Sequence, residues 1–552
     1  MAVAVFAEAG DRGGSEPGDR SPDRQPVHLD LDPDLGGDPE LTGVSRDGQA
    51  LWLLAATFVV AVAGLVYELI AGAVSSYLLG DSVTQFSLVI GVFMTSMGLG
   101  AWASRFVEVP ERGFTLSQVL LGIVGGFSAP VLFLAYGYLD GLHAILFALV
   151  IAIGALSGLE IPLITRILTE REAMKHTLSS VLTADYAGAL VAALLFPLVI
   201  VPQLGLMAAS LSFGLLNLLV AGISVWLFRD RIGWLLRGAW VLGLAACAAG
   251  LWWSDRIVSL ADAAFFEDNV ILAEETSYQR IVVTEWRGRY RLFLNGSIQF
   301  DTLDEHRYHE SLVHPAMAHA PRRADVLILG GGDGMAAREV LRWDGVERVV
   351  LVDLDPRVTE LFRGNGTLAA LNGRALDDPR LEIRNEDAWL FARESDQVFD
   401  VVILDLPDPR DFAVSKLYSR EFYAPLMERL SPRGVVVTQG GSPVFAREAF
   451  WSVVRTWAGT RNPARPGQRL TLVPYHTYIP SFGDWGFVMV TQDGAFREPA
   501  ALPSGLKYLS PDLFGAMTVF PEDSGPLEVK PNTILSHPLV TYYEDGWAAW
   551  MN

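Results

Sequence analysis

The sequence predicts an α-helical transmembrane bundle of about seven spans, followed by an α/β domain that opens with a small antiparallel β-sheet. Three observations carry that expectation. Over 552 residues the chain is 51% hydrophobic and only 19% charged, whereas an ordinary soluble domain carries about 25% charged residues. Between Leu51 and Trp253, apolar stretches of about 20 residues, the length a helix needs to cross roughly 30 Å of hydrocarbon, alternate with short polar breaks. After Trp253 the apolar residues fall instead into short Val/Ile/Leu runs separated by helical patterns.

Composition removes several classes. A single cysteine, Cys247, excludes a disulfide scaffold and a cysteine-clustered zinc site. Gly and Pro follow no period, which excludes collagen. The net charge of -21 is concentrated in residues 1–50 and 254–552. Such an acidic surface repels nucleic acid and anionic lipid headgroups and gathers cationic small molecules, so cationic substrates are favoured and a nucleic-acid partner is not.

Residues 1–48, rich in Gly, Pro, Asp and Arg with few large apolar groups, cannot bury enough surface to offset ordering and are expected to form a disordered acidic tail. A secretory signal would need a basic start and an apolar run, which Met1 to Gly10 lack. Residues 49–254 form the multi-pass bundle, with spans expected near 51–71, 83–104, 115–137, 142–161, 178–202, 204–228 and 233–253. Small residues at four-residue spacing, as in Gly154 to Gly158, permit close helix contact in lipid. In residues 265–325, turn signals at Trp286 to Arg289 and at Asn295-Gly296 mark hairpins, and a helix is expected from Asp304 to His319. Residues 326–552 then give strands at Val326–Leu329, Val349–Val352, Leu381–Arg384, Val401–Leu404 and Val435–Thr438 alternating with helices, which is an open parallel sheet.

The first of these strands runs into Gly330-Gly331-Gly332-Asp333-Gly334 and then a helix. Glycines there let a ligand approach the backbone, as in Rossmann-like domains of nicotinamide enzymes and class I methyltransferases. Asp353 ends the second strand about 20 residues on, where a carboxylate grips ribose hydroxyls. Asp387 and Ala388 follow the third strand, where the carboxylate accepts from an adenine amino group or caps a helix. The fourth strand delivers Asp405-Leu406-Pro407-Asp408 to the carboxyl edge of the sheet. Asp333, Asp405 and Asp408 thus surround one cleft, and such a cluster calls for a cationic ligand or for acid-base work. A metal ion is the rival occupant, but no His or further acid lies nearby at useful spacing, so no metal is expected.

Taken together, Phe293 to Gln299, Asp304 to Glu310, His314-Pro315, Gly330 to Gly334 with Arg338 to Leu341, and Asp405 to Pro409 resemble the spermidine synthases, or polyamine aminopropyltransferases. The likeness in order and spacing covers about residues 270–495, and the apolar front resembles that of the membrane-bound bacterial branch. The resemblance implies a transferase moving the aminopropyl group of decarboxylated S-adenosylmethionine, a co-substrate and not a resident cofactor, to a diamine such as putrescine. The products would be spermidine and 5'-methylthioadenosine. It assigns the amine's proton to Asp405 and a cationic amine to Asp408. Asp333 would meet the donor's aminopropyl ammonium, Asp353 its ribose, and Asp387 with Ala388 its adenine. Gly330 and Gly332 line the donor turn. Gln299 and Gln439 match positions near the donor, Gln439 also reaching the substrate side, and Tyr308 orients the attacking amine.

On the acceptor side the chain departs from the soluble members: His309 stands where they usually carry Gln, Phe482 where they carry Tyr, and Leu406-Pro407 replaces a small polar pair. His306, His314 and His476 read as packing or hydrogen-bonding groups, and Lys416 as a charge that any exposed loop would carry. Glu68, Glu160 and Asp185 sit near span ends, where they reach the interface or pair with Arg166 or Arg171, or else line a cation cavity.

Other functions remain for comparison: a methyltransferase using intact S-adenosylmethionine, or a membrane polyamine sensor or transporter with an inactive synthase domain. The remaining expectations are cationic amines and the lipid bilayer as partners, a homodimer by family analogy, and a cell-membrane location with the synthase domain in the cytoplasm.

Overall fold

A computed structural model describes residues 46–79, 82–138, 141–169, 174–266 and 268–551. The acidic tail expected over residues 1–48 lies outside the described residues, except that a helix, Arg46–Leu79, already begins at its end. The backbone ladder holds that first turn whether or not its side chains are apolar.

Among the described residues, six stretches are long and apolar enough to cross a membrane: Leu51–Ser76, Thr84–Phe106, Pro110–Ala135, Leu142–Thr169, Thr177–Leu227 and Trp234–Trp252. The fifth covers two of the expected spans. It contains the helices Met174–Leu195 and Val201–Leu227, joined by a π-helical turn at Phe196–Ile200 and broken at Gly205 (φ 67°, ψ 172°). The spacing of Gly154 and Gly158 has a packing cause. A Cβ on Gly158 would lie 2.0 Å from the carbonyl oxygen of Met97, and one on Gly154 2.8 Å from that of Phe93, so these two helices touch backbone to backbone. The helix Ser254–Phe265 leaves the bundle by packing on the helix Ser128–Tyr138 and then on the first strand of the soluble part.

That soluble part begins with an antiparallel sheet of β1 (Asn269–Glu275), β2 (Arg280–Trp286), β3 (Arg289–Leu294) and β4 (Ser297–Asp301) in sequential order. Both two-residue turns are left-handed at each centre, at Arg287 and Gly288 (φ 54° and 80°) and at Asn295 and Gly296 (φ 49° and 77°), as tight hairpins require. The helix Glu305–His319 follows.

The second sheet contains β5 (Asp325–Gly330), β6 (Arg348–Asp353), β7 (Leu381–Asn385), β8 (Phe399–Asp405), β9 (Leu430–Gly441), β10 (Thr471–Ile479) and β11 (Gly483–Thr491), in the order β10-β11-β9-β8-β5-β6-β7. Strands β5 to β9 are parallel. These are the five strands expected from the sequence; the sheet also carries a hairpin that was not expected, with β11 antiparallel to both β9 and β10. This hairpin escaped the sequence reading because β10 carries Pro474 and His476, and β11 opens with Gly483-Asp484-Trp485-Gly486. Pro474 is tolerated since β10 is an edge strand.

Both faces of the sheet are covered. Val326 and Ile328 of β5 enter one apolar cluster while Leu327 and Leu329 enter the other, which explains why the central strands read as unbroken apolar runs. The chain leaves β5 first toward β6 and β7, then crosses back to β8 on the other side. Ligands bind at such a reversal. Gly330 stands opposite Asp405 across the β5/β8 pair.

Gly330 is fixed by this pairing: its φ is 84°, and a Cβ there would lie 2.0 Å from the carbonyl oxygen of Asp405. Gly330→Ala should cost about 2 to 5 kcal/mol from left-handed strain and overpacking together. Gly364→Ala, where a Cβ meets nothing within 4 Å, should be close to neutral. Chemical denaturation of the two variants checks the contrast, and equal stabilities would contradict it.

Candidate active site

The acids stand at the carboxyl ends of β5, β6 and β8 because each strand runs apolar to its last residue and then turns. Asp353 closes β6 and is tied back to the glycine turn. Its Oδ2 accepts from Gly332 N at 2.9 Å and its Oδ1 from Asp355 N at 3.0 Å. Burial pushes its carboxyl up to about 6 despite both bonds. A Cβ on Gly332 would come within 2.7 Å of that carboxylate, so a glycine is needed for the approach. Asp333 Oδ1 accepts from Met335 N at 2.9 Å. Burial raises its proton affinity, His309 opposes the rise, and the neighbouring Asp405 adds to it.

Asp405 ends β8 and accepts a hydrogen bond from Tyr308 Oη at 2.8 Å. Burial shifts its carboxyl upward, with His309 and the Tyr308 bond working the other way. Tyr308 is held by an aromatic collar, with Phe482 at 5.7 Å and Phe487 at 5.5 Å between ring centroids. Phe482 therefore packs against the group that touches Asp405. It lies in the three-residue loop between β10 and β11.

His309, next along the same helix, is 2% exposed, and its Nδ1 lies 2.9 Å from both the carboxylate and the backbone oxygen of Glu305. Arg338 donates to the same carboxylate at 2.8 Å. Burial alone would lower the His309 imidazole, but the Glu305 bond and charge hold it up at about 9, with Asp333 and Asp405 adding to the rise. Burial would likewise raise Glu305, and its cationic partners hold it down at about 2. The helix thus carries a buried imidazolium to within electrostatic reach of two buried acids.

Asp408 has its own shell. Tyr543 Oη donates to its Oδ2 at 2.7 Å, and Gln439 Nε2 lies 3.3 Å from its Oδ1. Burial again pushes the carboxyl up, while the Tyr543 bond, Arg410 and Gln439 restrain it. Gln439 also donates to Leu406 O at 2.9 Å, and Tyr418 Oη donates to Pro407 O at 2.9 Å, so the peptide between the two aspartates is pinned on both sides. Gln439 accordingly braces the acid loop.

Asp387 satisfies its capping role, its Oδ1 accepting from Trp389 N at 2.8 Å at the start of the helix Ala388–Glu394. Its Oδ2 is occupied by Lys416 Nζ at 3.0 Å, so Lys416 is more than a loop charge. Gln299, on β4, turns its amide to Ser297 O at 3.1 Å. Arg410, just past the acid pair, hydrogen-bonds Ser297 Oγ and draws β4 to the rim of the same cleft. His314 is a packing group, 3.1 Å from Glu339 and accepting from Trp343 Nε1 at 2.9 Å. His476 is held between Asp484 and Val519 O.

Tyr543, Tyr418 and the Glu305–Arg338 pair are the contributors the sequence reading did not single out. Tyr543 lies 135 residues from its partner, and no local pattern signals such a contact. Glu305 and Arg338 belong to recognised motifs, and the signal that could have paired them was their shared need for a partner inside apolar surroundings.

Residues 305–497 match the spermine/spermidine synthase domain family. A polyamine aminopropyltransferase of Leptospira interrogans is 42% identical over 500 residues, covering 90% of this chain and 98% of that protein. Polyamine aminopropyltransferase 2 of Ralstonia nicotianae is 44% identical over 513 residues, covering 91% and 98%. Among solved structures, spermidine synthase from Thermotoga maritima is 27% identical, covers 46% of this chain and 84% of its own, and superposes with a TM-score of 0.41. A spermidine synthase in complex with the transition-state analogue AdoDATO is 26% identical, with coverages of 46% and 85% and a TM-score of 0.42. Two relatives more than 40% identical, each covering at least nine-tenths of its length, together with the acids gathered at the strand reversal, place this chain in the polyamine aminopropyltransferase family, as a transferase.

Proposed function

We propose that the cleft binds decarboxylated S-adenosylmethionine across β5, β6 and β7 and a diamine such as putrescine across β8, and that Asp405 takes the amine's proton. Asp353 would hold the ribose, Asp387 with Ala388 the adenine once Lys416 yields the carboxylate, and Asp333 the aminopropyl ammonium. Gly330 and Gly332 let the donor lie on the backbone, and Gln299 meets it from the β4 rim. Asp408, braced by Gln439, would anchor the diamine's distal ammonium. Tyr308, with Phe482 and His309 behind it, would orient the attacking nitrogen.

The chemistry asks for this charge distribution. The amine nitrogen bonds to the carbon beside the sulfonium as the C–S bond breaks, and the electron pair stays on sulfur to leave neutral 5'-methylthioadenosine. The nitrogen can attack only after its ammonium has given a proton to a base, since a protonated amine has no lone pair, and the charge lost from sulfur then appears on the secondary ammonium product. A free alkylamine has a pKa near that of Lys, about 10, and a buried carboxylate with raised proton affinity is matched to receive its proton. The observation that carries this reading is the 2.8 Å bond from Tyr308 to Asp405, which keeps one oxygen of the carboxylate occupied and leaves the other for the amine. A methyltransferase reading is disfavoured because the carboxylate of S-adenosylmethionine would face Asp333.

We further propose that the fifth apolar stretch makes two membrane spans, giving seven. Its 51 residues would measure about 76 Å as one helix, more than twice the hydrocarbon thickness. Arg231 pairs with Glu111, and Arg166 donates to the backbone oxygens of Ser104 and Val107, so the breaks after the second, fourth and sixth spans share one end of the bundle. Cations gathered there favour that end for the cytoplasm, which would leave the synthase domain outside. The donor is a cytoplasmic metabolite, and on that ground we place the domain in the cytoplasm, which requires either that the last span, with Arg237 inside it, is only partial or that the charge rule fails for this bundle.

Asp405→Asn should lower turnover by about 10² to 10⁴ with donor affinity nearly kept, whereas Asp333→Asn should weaken donor binding by about 1.5 to 3 kcal/mol. Single-turnover kinetics with separate donor titration distinguish them, and near-normal turnover in Asp405→Asn would remove its assignment. His309 gives a stability test. Its folded pKa, about 9, exceeds the unfolded value of about 6.5. The stabilisation is therefore complete below about pH 6.5 and is lost as pH rises toward 9. Thermal melts of the wild type should show that decline and His309→Gln should flatten it; parallel curves would count against a charged His309. For topology, a reporter that fluoresces only in the cytoplasm, fused to Asn552, should be bright. A dark but stable fusion, with alkaline phosphatase active at the same position, would put the domain outside.

A further inference from the structure

The bundle holds a second polar site, remote in sequence from the synthase cleft. Glu160 is 7% exposed, and its one hydrogen-bond partner among the described residues is a neutral amide, Gln118 Nε2 at 2.6 Å. Gln118 is fully buried, and its other amide atom, Oε1, has no partner. Ser157 lies one helical turn before Glu160, is 6% exposed, and its Oγ also lacks a partner. It faces Gly64 across the helix contact, where a Cβ would come within 3.6 Å of that hydroxyl. Tyr67, one turn beyond Gly64, touches Asn217 Nδ2 at 3.4 Å, and Asn217 is fully buried with its Oδ1 unpartnered. Tyr67 and Asp185 both stand within electrostatic reach of Glu160.

A carboxylate and three unpartnered acceptors are thus linked through the bundle: Gln118 bonds Glu160, Ser157 lies one turn from it, and Asn217 is joined to it through Tyr67. Buried polar atoms without partners are few in native proteins and call for an occupant. What this layer lacks is positive charge and a donor to Gln118 Oε1 and Asn217 Oδ1. A primary ammonium supplies both, with three N–H groups and one charge on a small head. A divalent metal ion fits less well, since among the described residues no group of three or more His, Cys, Asp or Glu is placed to hold one. We propose that this layer binds a primary alkylammonium ion, with Glu160 as its counter-charge and Gln118 Oε1, Ser157 Oγ and Asn217 Oδ1 as acceptors. Asp185 offers a second carboxylate for the far end of a diamine. The site stands on bundle geometry alone. Choosing an amine as the occupant rests on aminopropyl transfer, which makes amines this chain's own substrates and products.

Equilibrium dialysis of the full chain in lipid nanodiscs against radiolabelled putrescine tests the proposal. The wild type should bind two equivalents per chain, Asp408→Asn one, Glu160→Gln one, and the double variant none. Glu160→Gln should keep its turnover at saturating amine. Ser157→Ala should weaken only the bundle site, by about tenfold for one lost bond to a charged group, and it decides alone if Glu160→Gln is not monodisperse. One equivalent in the wild type, or two in Glu160→Gln, would overturn the bundle site. Displacement of the Glu160-dependent equivalent by sodium at physiological concentration would replace the amine with sodium as its occupant. Two equivalents in Asp408→Asn would instead refute the cleft assignment and leave the bundle site judged by Glu160.

Discussion

The soluble domain is organised around the confinement of like charges. Asp333, Asp353, Asp405 and Asp408 crowd the carboxyl edge of β5, β6 and β8, and burial raises the proton affinity of each. A cluster of that kind is tolerated only where donors and cations meet it. The fold supplies them in part: backbone N–H groups for Asp333 and Asp353, phenol hydroxyls for Asp405 and Asp408, and a buried imidazolium near Asp333 and Asp405. The remaining deficit is what a sulfonium and two ammonium groups would fill. Substrate charge is thereby matched to a demand that exists before the substrate arrives.

Each supporting group comes from a different part of the chain, which ties the architecture together. The helix Glu305–His319 delivers Tyr308 and His309 as neighbours, one to Asp405 and the other to the charge balance around Asp333 and Asp405. Its orientation is fixed by Glu305 gripping Arg338 and by Glu310, which accepts from three consecutive backbone N–H groups, Lys507 to Leu509. The antiparallel hairpin β10–β11 supplies the collar that holds Tyr308. The last helix, Pro538–Met551, brings Tyr543 to Asp408. Loss of any of these would release an acid before it altered the sheet.

The bundle is built on the opposite rule. Its helices approach until glycines face carbonyl oxygens, the close backbone contact that helices in lipid would use, where apolar side chains have no reason to gather. Polar residues that survive in such packing are conspicuous, and Glu160 with Gln118 is the clearest case. The same chain thus presents buried carboxylates in two surroundings, one at the strand ends of a sheet and one between helices.

Much of this was legible in the sequence because the signals are local. Apolar runs about 20 residues long, the hairpin dipeptide Asn295-Gly296, the glycines after β5 and the aspartates ending β6 and β8 each report on their own neighbourhood, and strand ends gather at one edge of a parallel sheet by construction. The structure brings Asp333 and Asp405 together as that logic anticipates, whereas Tyr308 and His309 are indicated only by resemblance to a family. What tertiary structure decided is pairing at a distance. The sequence could not say that Tyr543 reaches Asp408, that Lys416 occupies Asp387, that His309 is held charged by Glu305, or that the region after residue 470 returns as an antiparallel hairpin. Those depend on which surfaces meet after the chain has folded. A carboxylate's protonation, its accessible oxygen and its partner are properties of the surroundings, whereas its position at the end of a strand is a property of the chain.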